Sequence, residues 1–126
     1  MADEFTFDAS GRPIFEKDPD SVRPFAVDLG SHPVAPLDSS RNLVATSWSV
    51  ESGPDSSLQI GDGVGVASTA FGDVTPQAPS FSGKLATAVF YGGTLGSDYV
   101  VRLSYRSDGS PEVIDDVSVL VRIGER

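Results

Sequence analysis

The chain has 126 residues, no cysteine, one histidine and a formal net charge of −9. That length suits one domain, and the missing cysteines exclude a disulfide framework and a thiolate metal site. The acidic balance, with Arg41, Lys84, Arg102, Arg106 and Arg122 scattered singly, argues against nucleic acid and anionic membranes as partners, because both need a basic patch. Met1 to Phe5 lacks the basic and apolar regions of a signal peptide. Synthesis in the cytoplasm is therefore expected.

Residues 1–22 differ in composition from the rest. They carry Asp3, Glu4, Asp8, Glu16, Asp18 and Asp20, with Pro13 and Pro19, and no helical or strand period persists. Phe5, Phe7, Ile14 and Phe15 are spread through this acidic segment, which a purely disordered tail seldom shows. The reading is an extended N-terminal arm anchored through those four side chains in an assembly, followed by a domain over residues 23–126; the alternative is a short extra strand or loop packed on its own domain. Deleting residues 1–16 should then leave a folded domain.

From Phe25 the period becomes two. Phe25 and Val27 open a short strand, and a proline-bearing connection runs to Asn42. Val44, Thr46, Trp48 and Val50 then alternate with smaller residues. Leu58 and Ile60 make a brief strand ended by Gly61-Asp62-Gly63, which Val64 and Val66 extend. Residues 72–83 read as a loop or weak edge strand. Leu85, Thr87, Val89 and Tyr91 form the expected inner face of the next strand. Tyr99, Val101, Leu103 and Tyr105 alternate with Val100, Arg102, Ser104 and Arg106, the cleanest signal in the chain. Val117, Val119, Val121 and Ile123 form the last inner face, after a turn at Asp108-Gly109.

No helical spacing lasts for three turns. About seven short strands between Gly, Asp and Pro turns predict an all-β, immunoglobulin-like β-sandwich. Tyr99, at the start of the penultimate strand, fits a tyrosine corner, whose hydroxyl bonds back to nearby backbone. Trp48 fits the core tryptophan of such sandwiches. Tyr99 and Trp48 are thus structural core candidates.

The residues give little chemistry. His32 lies between prolines in a loop and reads as solvent-exposed, and no serine stands in a nucleophile motif. Asp115 and Asp116 are adjacent, so on a strand they point to opposite faces. The calcium-loop spacing is absent, and Gly61-Asp62-Gly63 has no following helix to present to a phosphate. No catalytic residue, cofactor or metal ligand is assigned.

Three segments carry a family resemblance. Phe15-Glu16-Lys17-Asp18-Pro19-Asp20-Ser21-Val22 leads into Phe25-Ala26-Val27-Asp28; Ser47-Trp48-Ser49-Val50 bears the tryptophan; Gly92-Gly93-Thr94-Leu95-Gly96-Ser97-Asp98-Tyr99-Val100-Val101 precedes a closing Val119-Leu120-Val121-Arg122-Ile123. Together they resemble small phage virion proteins described as fibre-tail adaptors or phage structural proteins, over most of the chain from Phe15 onward. The resemblance implies a non-enzymatic β-sandwich, present in several copies on a virion, that bridges the tail or neck to fibres. It implies other virion proteins as partners, neither nucleic acid nor membrane as a ligand, and no cofactor. Capsid decoration and a carbohydrate-binding module are the alternatives, the latter needing a row of exposed aromatics for which Phe71 and Phe90 are candidates. The Asp28–Arg41 connection and residues 61–80 are longer than in that family, and nothing before Phe15 has a counterpart.

Overall fold

The computed structural model describes the backbone of Thr6 and Phe7 together with residues 12–32 and 36–124. Eleven strands form within them: β1 (Thr6–Phe7), β2 (Pro13–Lys17), β3 (Val22–Asp28), β4 (Leu43–Ser52), β5 (Leu58–Ile60), β6 (Ala67–Thr69), β7 (Gly72–Val74), β8 (Ser80–Ser82), β9 (Leu85–Gly92), β10 (Asp98–Ser107) and β11 (Ile114–Ile123). A short 3-10 turn, Leu29–Ser31, is capped by the Asp28 side chain, which accepts from the Gly30 amide.

The larger sheet runs β1-β2-β11-β10-β4, with β2 parallel to β11 and the other neighbours antiparallel. In the second sheet β3 pairs one edge of β9, while β5 and β8 lie end to end along the other. β6 and β7 form a separate hairpin. The protein is an all-β sandwich, as the strand periodicity predicts.

Alternation places the core. Tyr99, Val101 and Leu103 on β10 stand opposite Val121, Val119 and Val117 on β11, and all six are buried. Removing such side chains from water contributes about 1.5–3 kcal/mol each. The intervening positions face outward, where Arg102, Arg106 and Arg122 pair with Glu51, Glu112 and Asp98. Such exposed pairs are worth little individually. From the opposite sheet come Phe25, Val27, Ala86, Ala88 and Phe90.

The β9 face differs from the expected one. Ala86, Ala88 and Phe90 are buried, whereas Leu85 is 42% exposed and Thr87, Val89 and Tyr91 are half-buried. The cause is pairing with β3, where Phe25 sits beside Ala88 and Val27 beside Ala86. At these two positions the large side chains on β3 leave room only for methyl groups on β9. Val64 and Val66 do not extend β5. The Asp62 carboxylate accepts from the Val64 and Gly65 amides and turns the chain away, with Gly63 at φ +79°.

The sheet also crosses the expected boundary at residue 22. β2 pairs Ile14, Phe15, Glu16 and Lys17 with Leu120, Val121, Arg122 and Ile123. Phe15 is buried in the domain's own core, stacked on Phe25 at 4.5 Å between ring centroids. A strand needs a partner edge for its backbone groups, and β11 supplies one within the same chain.

Candidate functional site

One end of the sandwich collects most of the polar geometry. Gly92 and Gly93 (φ +78° and +96°) turn the chain out of β9 toward β10. A Cβ on Gly92 would run into the Ser57 carbonyl oxygen, and one on Gly93 into Ile123. Glycine is therefore required twice, by conformation and by space.

That close approach assembles a corner around Tyr99. Its hydroxyl donates to Asp55 Oδ1 at 2.6 Å and accepts from the Thr94 amide at 3.0 Å. The bond back to backbone five residues upstream is the geometry expected of a tyrosine corner. Ser57 Oγ donates to the same Asp55 oxygen and Thr94 Oγ1 to the other, each at 2.6 Å. Hydrogen bonds from the Ser57 and Thr94 hydroxyls, then from Tyr99, hold the Asp55 carboxyl far below the usual carboxylate range. A carboxylate so stabilised is a poor base. The cluster ties the β4–β5 connection to the start of β10. Tyr99→Phe should lower stability by about 1–2 kcal/mol in urea denaturation, because the Thr94 amide and Asp55 each lose a partner. An unchanged midpoint would show that the corner carries no weight.

Lys17 lies beside this corner and is fully buried. Its Nζ donates to the carbonyls of Asp18 and Gly92, both at 2.7 Å. Burial lowers its pKa to about 8, against the opposing pull of Asp18 and Asp20. A groove of about 240 Å³ opens above, lined by Asp20, Ser57, Gln59, Val66, Ser68 and Tyr91 among others. That is below the roughly 300–1,000 Å³ typical of small-molecule sites.

The named candidates fall in different places. Tyr99 is fully buried; Trp48 is half-buried, packed edge-on against Phe90 at 5.8 Å. Ile14 is half-buried on β2 and Phe15 is in the core. Phe5 and the side chain of Phe7 lie outside the described residues. His32 is only 8% exposed, contrary to the expected solvent-facing loop. Leu29 and Leu37 pull the connection inward, joined by the Leu37 amide donating to the Leu29 carbonyl. Burial also lowers the His32 pKa, which favours the neutral ring. Phe90 is buried, so of the two aromatics considered for a glycan face only Phe71 is exposed, at 98%.

Lys17 and Asp55 escaped the sequence reading. A lysine at a strand end normally reads as solvated. Asp55-Ser56-Ser57 carries the local signal of a turn, its carboxylate accepting from the Ser57 amide, but nothing local points to Tyr99. Among the described residues, no three His, Cys, Asp or Glu side chains are placed to hold a metal ion. No helix there is long and apolar enough to cross a membrane. No protein-family model, curated protein or solved structure matches the chain.

Proposed function

We propose that the chain is a non-enzymatic structural protein of a phage virion that bridges subunits at the tail or neck, in the manner of a fibre-tail adaptor. It is made in the host cytoplasm and works in several copies against other virion proteins. The three resembling segments support this reading. The all-β sandwich, with β3-β9-β5/β8 against β2-β11-β10-β4, is compatible with the immunoglobulin-like domain that the resemblance implies.

The observation that carries the proposal is the outer edge of β4. This ten-residue strand ends the larger sheet and pairs only with β10 among the described residues. Natural edges are usually guarded by lysine, proline or bulges. The Leu43 amide donates to the Gly83 carbonyl, and the register shifts at either end of the strand. Between those shifts Ala45 to Val50 contains no charge and no proline, and its register on β10 is unbroken. Such an edge suits an added strand from a neighbouring subunit, with the backbone supplying the hydrogen bonds. Symmetry then multiplies a modest contact across the particle.

Quantitative mass spectrometry of purified particles tests the reading. A ring of up to about a dozen copies is the expected result. On the order of hundreds would move the protein to capsid decoration, and absence from particles would overturn both. A second test alters the edge alone. Ser47 is exposed, opposite Ser104, whose other neighbour is Asp116, so Ser47→Lys should keep stability within about 0.5 kcal/mol. Its incorporation should fall by about tenfold, whereas wild-type incorporation would remove β4 from the interface. Against the glycan-binding alternative, Phe90 lies inside the core, which leaves Phe71 and Phe81 as the exposed phenylalanines among the described residues.

A further inference from the structure

Residues 61–79 interrupt one strand position. β5 pairs with Phe90–Gly92 and β8 with Leu85–Thr87, on the same edge of β9. Between them the chain leaves the sheet, makes the β6–β7 hairpin and returns. The Gly63 amide donates to the Pro76 carbonyl at 2.9 Å and closes the base of this excursion. A continuous edge strand would satisfy β9 with far fewer residues, so the excursion serves something other than the core.

Its tip is ordered and apolar. Thr69 Oγ1 accepts from the Phe71 amide at 3.0 Å and donates to the Gly72 carbonyl at 2.6 Å, with Gly72 at φ +100°. The backbone is thereby fixed while the ring it carries stays 98% exposed. Val64, Val66 and Val74 on the same excursion are 80%, 59% and 38% exposed. Scattered single apolar residues need no explanation, but four exposed apolar side chains within residues 64–74 of one excursion point to an interaction surface. A tip already held in shape loses little conformational freedom on docking.

Charge narrows the partner. From Arg41 to Lys84 the intervening chain holds no Lys or Arg, but it holds Glu51, Asp55, Asp62 and Asp73. Asp62 precedes these apolar residues and Asp73 lies between Phe71 and Val74, and both are exposed. An anionic lipid surface would repel this element. A pocket with basic side chains at its rim would draw it in.

We propose that the β6–β7 hairpin is a docking finger whose Phe71 ring seats in an apolar pocket, rimmed by Lys or Arg, on a partner protein. This deepens the bridging function proposed above and rests on it: the partner is a neighbouring virion subunit. The finger and the β4 edge are separate contacts.

The test uses particles made with plasmid-borne variants of the full chain. Phe71→Ser should lower copies per particle by about tenfold or more, as expected for an aromatic anchor, while the melting temperature stays at the wild-type value. Phe71→Trp should retain occupancy, and Asp73→Lys should reduce it. Benzoylphenylalanine at position 71, irradiated in assembled particles, should cross-link to one virion protein at a peptide containing Lys or Arg. Wild-type occupancy for Phe71→Ser would overturn the finger while leaving the bridging function standing. Phe71-dependent co-sedimentation with phosphatidylcholine or phosphatidylglycerol vesicles, without a protein cross-link, would overturn it in favour of a membrane. Absence of the unaltered chain from particles would defeat the bridging function and the finger together.

Discussion

Replacing Phe15 by alanine is expected to destabilise the isolated protein by about 3–5 kcal/mol. The ring is 2% exposed and lies nearly parallel to Phe25, at an interplanar angle of 7°. Phe25 in turn meets Phe90 at 5.9 Å, and Phe90 meets Trp48. Phe15 is thus the first member of an aromatic row that crosses from one sheet to the other. Removing it opens a cavity at the point where β2 joins β11. A domain of this size commonly has about 5–15 kcal/mol of total stability, so the loss is a large fraction. Urea denaturation of the purified chain measures it. A change below about 1 kcal/mol would mean that Phe15 serves a neighbour, as the arm reading has it. Deleting residues 1–16 should unfold the protein for the same reason, because it removes Phe15 and most of β2.

The contrast shows what could be read locally. β10 and β11 alternate large apolar residues with polar ones, so Tyr99–Tyr105 and Val117–Ile123 declare their inner faces without reference to anything distant. β9 offers apolar residues at both parities, and side-chain size favours Leu85, Val89 and Tyr91 over Ala86 and Ala88. The choice is made by Phe25 and Val27 across the sheet, which a local window does not contain. β2 is harder still. It carries Pro13, Glu16 and Lys17, and its partner is the parallel β11 at the other end of the chain. Parallel pairing between the two ends leaves no turn signature. The corner shows both cases in one cluster. Tyr99 was legible from its place at the start of a strand, whereas Asp55 and Ser57 reach it only because Gly92 lets two backbones touch.

Lys17 provides the second large effect, through pH. In the folded protein burial lowers its pKa to about 8, while an unfolded lysine keeps a value near 10.5. Between those values the unfolded chain holds a proton that the folded chain has released. Stability therefore rises with pH across this window, and below pH 8 the folded protein bears the full cost of an enclosed ammonium. The shift corresponds to at most about 3 kcal/mol. Deprotonation does not break the site, because a neutral amine still has two N–H groups for the two carbonyls of Asp18 and Gly92. Lys17→Met removes the titration and keeps a similar length of apolar stem. The Asp18 carbonyl remains satisfied by the Ser21 amide and hydroxyl, leaving only Gly92 short of this donor. Urea denaturation of both proteins at pH 7, 8.5 and 10 cancels the tyrosines and the surface charge, which they share. Wild type should gain on the methionine variant steadily between pH 8 and 10. A constant difference would mean that the ammonium is solvated, and that β2 closes over the corner less tightly than its zero exposure implies.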